Sequence, residues 1–256
     1  YIEDNFQHAQ LEYDLYDHMI TWGWSKIDNH FPQIRKITSL PVPSYSEMPV
    51  RNIIEKDINA KDIIYLSNKL HRFPGIITCG VSRIDFVEEY KDTMVELVKL
   101  VKKNNLNMIH KIFDIKTFLL LKNFFEELKS LGGESYSEYD NFNKGLSNDL
   151  ISSANIIVWD QIGTGTLQCL TANIPTMIYW RRTYSNEVKW EKEIFIEMEK
   201  YGIIHSTAES LMNEIKKYKV DPKKWNNDKI RLNIVHKFCQ KFSQVDDNWK
   251  QKWKYT

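Results

Sequence analysis

The sequence predicts an α/β fold, a Rossmann-like parallel sheet with helices on both faces. Three observations carry that prediction. Short apolar runs rich in isoleucine and valine alternate with longer stretches whose apolar residues recur at three and four, the pattern of buried parallel strands separated by amphipathic helices. One such run, 154–159, passes through the turn "DQIGTG" directly into a helical stretch, and in open parallel sheets ligands collect where strands end and helices begin. Finally, no apolar run approaches the roughly 20 residues that span a bilayer. The longest, 118–121, is bounded by Lys116 and Lys122.

Taken in order, residues 1–16 show no period, and "HMITWGW" at 18–24 reads as a short strand. Pro32, Pro41, Pro43 and Pro49 exclude regular structure from most of 32–49, which reads as a linker or a wrapped loop. An apolar run at 62–67 suits a buried strand. After the loop "NKLHRFPGIITCGVSR", Phe86, Val87, Tyr90, Met94, Leu97, Val98 and Val101 form the apolar stripe of a helix over 85–103, stopped by Asn104 and Asn105. The unit repeats with a strand at 107–113 and a helix at 116–131 closed by Gly132 and Gly133. A short helix at 146–153, a strand at 154–159 and a helix at 164–173 follow. Next come a strand at 175–180, a helix at 187–201 and a strand at 203–205. Two helices close the chain, 207–218 with Ser206 or Thr207 as its cap and 229–242. The tail is polar with two tryptophans.

With 256 residues, 42% of them hydrophobic, the chain can build one large or two modest cores. A net charge of +1 provides no general attraction to nucleic acid, so no such partner is expected. Cys79, Cys169 and Cys239 lie far apart without a CxxC pair, which argues against a zinc site or a disulfide framework and for a reducing, cytoplasmic setting. No Asp-x-Asp or His-x-x-x-His spacing occurs, so neither metal nor cofactor is expected. The chain opens at Tyr1 without Met or a signal segment, and is expected to be part of something longer.

The glycine-threonine turn is the strongest candidate site. Gly163 and Gly165 let the backbone approach a ligand, Thr164 and Thr166 add hydroxyls, and the following helix offers free N–H groups at the positive end of its dipole. A phosphate or diphosphate fits there. A plain strand-to-helix connection capped by threonine accounts for the same residues equally well. The turn is neither a Walker motif nor a GxGxxG fingerprint.

Four segments together, "YDLYDHMITWGW", "GTGTLQCLTANIPTMIYW", "EMEKYGIIHSTAESLMNEI" and "RLNIVHKFCQKFSQVDDNWKQKW", resemble a family of transferases encoded among bacterial surface-carbohydrate genes, similar to GT-B glycosyltransferases. The resemblance covers nearly the whole chain. It implies a C-terminal, nucleotide-sugar-binding domain at 56–228, preceded at 1–55 by the end of an N-terminal domain and the interdomain connection. Residues 229–256 would be a C-terminal helix and tail packing back on the N-terminal part. The implied activity is metal-independent transfer from a nucleotide-sugar donor to a carbohydrate or lipid-linked acceptor of a surface polysaccharide or glycoconjugate. Peripheral membrane association of the full-length protein is part of that expectation. GT-B donor domains commonly carry an acidic residue where this chain has Gln168; an amide bonds ribose hydroxyls without the help of a charge. A non-catalytic nucleotide-sugar or phosphate-binding module and a sugar-nucleotide epimerase of the same fold stand as alternatives.

Other candidates follow from position. His71 and Arg72 come after the first strand of that domain, on its ligand side; Arg72 suits a diphosphate, and His71 is the candidate base if the chain catalyses alone. Arg181 and Arg182 follow the strand at 175–180 and diverge, so at most one reaches a phosphate, Arg181 being preferred. Ser82 and Arg83 read first as a helix cap, Glu187 and Glu191 as a solvated face, and Trp22 and Trp24 as packing. His110 reads as a structural histidine, and His205, at a strand end, as a weak site candidate.

Overall fold

The computed structural model describes residues 18–24, 36–46, 59–70, 86–139, 141–142, 145–182 and 191–254. Its first elements are a two-stranded parallel pair, β1 (His18–Thr21) and β2 (Lys36–Ser39), and a short helix α1 (Pro43–Ser46). β3 (Lys61–Leu66), α2 (Phe86–Lys103), β4 (Met108–Lys111), α3 (Ile115–Leu120), α4 (Lys122–Gly132) and β5 (Tyr136–Glu138) follow. The chain then returns through α5 (Asn148–Ser152), β6 (Ala154–Trp159), α6 (Thr164–Thr171), β7 (Thr176–Tyr179), α7 (Lys192–Lys200) and β8 (Ile204–His205). Helices α8 (Ala208–Val220), α9 (Pro222–Asn226), α10 (Lys229–Phe242) and α11 (Trp249–Lys254) complete it.

Strands β3 to β8 form one parallel sheet in the order β5-β4-β3-β6-β7-β8. Counted along the chain this is 3-2-1-4-5-6, the doubly wound arrangement whose direction of growth reverses between β3 and β6. Alternation along each strand sorts side chains to the two faces. Ile63, Tyr65, Ile156, Val158, Met177 and Tyr179 pack under α2, α4 and α8. Ile64, Leu66 and Ile157 meet α5 and Cys169 of α6, while Ile178 and Ile204 meet α6, α7 and α10. Ile63, Ile64, Ile156, Ile157 and Val158 are at most 1% exposed, each burial contributing roughly 1.5–3 kcal/mol.

The sequence reading needs correction in several places, among them the unexpected short helices α1, α9 and α11. β2 lies inside the segment read as a linker, in the proline-free stretch before Pro41, where pairing with β1 orders it. β5 was not anticipated, because three residues at a sheet edge carry too little pattern. The helix at 116–131 is divided at Leu121, whose ψ of 25° interrupts the turn. The strand at 18–24 stops at Thr21, and Gly23 (φ +143°) lets that segment approach α10 closely: a Cβ there would lie 2.1 Å from the Gln240 carbonyl oxygen. Asn105 (φ 52°) and Gly133 (φ 57°) end their helices, and the Thr207 hydroxyl accepts from Ser210 N–H to cap α8.

Residues 18–24, 36–46 and 238–254 pack together beside α6 and α7. Phe238 and Phe242 stack against Phe195 at 5.7 and 5.9 Å. Gln244 N–H donates to Trp22 O, and Val42 N–H to Gln244 O, both at 2.7 Å. Trp253 rests on Trp22 (6.1 Å) and donates its indole N–H to Pro41 O at 2.9 Å.

Candidate functional site

The reversal between β3 and β6 creates a crevice at the carboxyl edge of the sheet. Leu66 and Trp159 are the last paired residues there. Beyond them, Asn68 N–H donates to the buried Asp160 carboxylate, and the Asn68 amide donates to Gln161 Oε1 at 2.5 Å. These bonds fix the base of the crevice and set the start of the 160–163 turn.

The four turn residues named from sequence do different things. Thr166 is fully buried; its hydroxyl donates to Gln161 O (2.9 Å) and accepts from Gly163 N–H (3.2 Å). It is a strut of the turn, and its hydroxyl is taken, which corrects the expectation that it faces a ligand. Gly165 has a packing reason: a Cβ there would lie 2.2 Å from the Trp159 ring, so the glycine lets α6 settle on the indole rather than admitting a ligand. Gly163, the helix N-cap, has extended backbone, and a Cβ there would meet nothing nearer than Gln161 Nε2 at 3.9 Å. Thr164 is exposed, and its carbonyl accepts from the Tyr45 hydroxyl at 2.8 Å.

The amides of Thr164, Gly165 and Thr166 occupy the first turn of α6 and have no carbonyl four residues back within the helix. Gly163 has no side chain to accept from them. These are the N–H groups that the first turn of a helix leaves without an intrahelical acceptor, at the positive end of its dipole. One turn further on, Gln168 is half-buried, and its carboxamide makes no hydrogen bond among the described residues.

Arg181 is exposed and donates to the Thr93 hydroxyl on α2 at 2.7 Å. Arg182 diverges from it, pairs with Glu199 at 2.5 Å and covers the Trp180 ring. Glu191 pairs with Lys241. His71, Arg72, Ser82, Arg83 and Glu187 lie outside the described residues.

Both buried histidines are held by hydrogen bonds. His110 Nδ1 meets the Tyr136 hydroxyl at 2.8 Å, and Nε2 meets Ser67 Oγ at 3.0 Å and Tyr90 OH at 3.2 Å. Burial pushes its pKa down to about 3. His205 lies between Ser210 Oγ (2.9 Å) and Gly202 O (3.2 Å), and burial lowers its pKa to about 4. Both are structural.

Sequence reasoning passed over Lys111, the last residue of β4. It is 5% exposed, yet its ammonium donates only to Ile112 O at 3.1 Å, and burial lowers its pKa. The signal was present: a lysine ends the strand "MIHK" and is followed at once by more apolar residues. Among the described residues no group of three metal-ligating side chains occurs, and no helix is long and apolar enough to cross a membrane.

A 3-2-1-4-5-6 parallel sheet covered on both faces, with an unfilled helix N-terminus at its reversal point, is the Rossmann-like domain of the kind found as the C-terminal half of GT-B glycosyltransferases. The chain belongs to the LIC12162 family of transferases, whose model matches residues 3–256. Among solved structures it is similar to Anabaena HepE in complex with UDP and glucose, with 12% identity, coverage of 96% of this chain and 64% of that one, and a TM-score of 0.51. It is also similar to a glycosyltransferase from Rickettsia africae (15% identity, 87% and 56% covered, TM-score 0.49). A third is the UDP-GlcNAc 2-epimerase of Methanocaldococcus jannaschii in complex with UDP-GlcNAc and UDP (17%, 80% and 55%, TM-score 0.47). The chain spans about half the length of solved structures it matches. No curated protein sequence matches it.

Proposed function

We propose that this chain is the donor-binding half of a metal-independent GT-B glycosyltransferase that moves a sugar from a nucleotide-sugar to a surface polysaccharide or glycoconjugate acceptor. The observation that carries this reading is the first turn of α6 at the reversal point of the sheet, where the N-cap is a glycine without a capping side chain and a Cβ on it would meet nothing nearer than 3.9 Å. A diphosphate seated there meets donors aimed at its oxygens, and the helix dipole stabilises the charge that grows on it as the anomeric carbon–oxygen bond breaks. In this reading Gln168 holds a ribose hydroxyl, Arg72 and Arg181 contact the phosphates, and Gly163 keeps the way clear. The base that deprotonates the acceptor belongs to a part of the protein preceding this sheet; were the chain to transfer sugar alone, His71 would be the candidate.

The family membership and the HepE-like fold support the reading. So does the β1–β2 pair. Two parallel strands are marginal alone, and Ile20 and Trp22 remain 45% and 41% exposed, as fits the end of a preceding domain within 1–55.

Calorimetric titration with a panel of UDP-, GDP-, CMP- and ADP-sugars tests the proposal. Saturable binding that the free nucleoside diphosphate competes away, without transfer to acceptor by these 256 residues alone, is the expected result. Failure of the whole panel to bind refutes it. Interconversion of the bound sugar instead of transfer selects the epimerase alternative.

A further inference from the structure

The carboxyl edge carries unfilled donors beyond the α6 turn. Strand register brings Trp159, Leu66 and Lys111 to one level across β6, β3 and β4. Tyr139 continues the row, its N–H donating to His110 O at 2.9 Å. Leu66, Trp159 and Tyr139 share the apolar cluster on the α5–α6 face, and Lys111, two residues after Ile109 of that cluster, points the same way. The row is a shelf with the α6 N-terminus at one end and Tyr139 at the other.

Lys111 is the anomaly on it. Its ammonium has three N–H donors and one hydrogen bond, to the neighbouring Ile112 carbonyl. The Tyr139 ring lies 6.0 Å away. Asp114, the acid whose field it feels, is committed to Thr117 N–H at 2.7 Å and lies 3.8 Å from Lys69. A lysine residue 5% exposed whose ammonium makes one hydrogen bond within the protein is a costly choice at this position, and an apolar side chain would fill the place at less cost. On the same shelf the Trp159 indole N–H is buried and also lacks an acceptor. The indole is covered by α6, so of the two it is the Lys111 ammonium that suits a ligand bringing acceptor oxygens.

We infer that Lys111 reads the base of the bound nucleotide by donating to a keto oxygen on its outer edge, so that the chain takes uracil and guanine nucleotides in preference to cytosine and adenine ones. This rests on the reading of the α6 turn as a diphosphate site. Lys111 lies two strand spacings from β6, roughly 10 Å, a distance that the ribose and base of a nucleotide would span if its diphosphate sat on the α6 amides and it lay along the carboxyl edge. Uracil O4 and guanine O6 accept from an ammonium. Cytosine and adenine present an amino group at the same position, which sets donor against donor. The Tyr139 ring offers the base an aromatic neighbour.

The test is calorimetric titration of the chain with UDP, CDP, GDP and ADP, repeated on Lys111→Met, together with the ligand-free thermal midpoint of each protein. UDP is expected to bind more tightly than CDP, and GDP than ADP, by about tenfold or more. Lys111→Met is expected to erase both preferences by weakening UDP and GDP, while its midpoint stays level or rises. A wild-type chain that binds all four nucleotides alike overturns the inference and leaves the diphosphate reading standing. A variant that keeps the preference, or that melts earlier because Lys111 is a strut for the Ile112 carbonyl, also overturns it. Failure of all four to bind overturns the diphosphate reading itself.

Discussion

The two edges of the sheet use their buried polar groups oppositely. At the amino edge, Glu214 is 5% exposed and accepts from Arg231 (2.7 Å), Trp225 Nε1 (2.8 Å) and Lys217 (2.9 Å). Arg231 lies 3.6 Å over the Trp225 ring and donates further to the carbonyls of Tyr201 and Trp225. A cleft of about 470 Å³ opens beside these residues, yet their hydrogen bonds are already made within the protein. At the carboxyl edge, the α6 amides, the Lys111 ammonium and the Trp159 indole keep capacity in hand. Neither cavity size nor polar density sets the proposed binding site apart; unfilled hydrogen-bonding capacity does.

If the amino-edge cluster is structural, breaking it should affect folding alone. Arg231→Met leaves the Glu214 carboxylate buried without its main partner and is expected to cost about 3–5 kcal/mol in chemical denaturation. Nucleotide affinity of the folded fraction should stay at the wild-type value. A variant of normal stability and impaired binding would move the site to the wrong edge and undo the comparison.

Acidification gives the next largest effect and separates location from chemistry, because His110, next to the last residue of β4, and His205, the last of β8, lie toward the carboxyl edge yet are hydrogen-bonded within the protein like Glu214. Their folded pKa values of about 3 and about 4 lie below the ordinary 6.5. Below pH 6.5 the unfolded chain takes up a proton on each, whereas the folded chain does not until far lower. Their stabilising contribution is therefore complete above pH 6.5 and declines as pH falls, by up to about 1.4 kcal/mol per pH unit for each histidine. Unfolding free energy should drop by about 2–4 kcal/mol from pH 7 to pH 5, and replacing both histidines with glutamine should flatten the slope.

The two glycines of the turn divide along the same line. Gly165→Ala drives a methyl group into the Trp159 ring and should cost about 1–3 kcal/mol. Gly163→Val points into open space from an extended N-cap, so stability should fall by about 1 kcal/mol at most. Its effect should appear instead as a loss of about tenfold or more in nucleotide affinity, the side chain holding phosphate off the amides. Equal affinity in a folded Gly163→Val protein would remove the ligand from this turn.

Much of the fold is legible in the chain because its signals are local. The stripe from Val87 to Val101 and the run at 154–159 announce their elements unaided. β5 and β2 depend on partners distant in sequence, which a three- or four-residue window cannot show. The turn was legible as a place but not residue by residue. Nothing in "GTGT" tells that Gly165 answers to Trp159, six residues earlier and on the preceding strand, or that Thr166 bonds back to Gln161. Lys111 was passed over for a related reason: a lysine at a strand end usually reaches solvent, and only the packing of Tyr139 and Leu66 beside it makes its burial visible.

The smallest expected effect tests the carboxyl edge most finely. Gln168 lies one turn into α6, beyond the residues that feel the helix dipole strongly, so Gln168→Glu should leave stability within about 0.5 kcal/mol. Two forces then oppose each other in the ligand. A carboxylate roughly doubles the strength of a hydrogen bond from a ribose hydroxyl, while its charge repels the diphosphate across the length of the ribose. Near the surface the repulsion is partly screened, whereas the hydrogen bond is made in contact. The contact should prevail by a few-fold in affinity for UDP at physiological salt, an advantage below about 1 kcal/mol. Lowering the salt should shrink that advantage, and a nucleotide lacking ribose hydroxyls should bind the variant more weakly than it binds the wild-type chain. Identical shifts for both nucleotides would mean that Gln168 does not face the ribose.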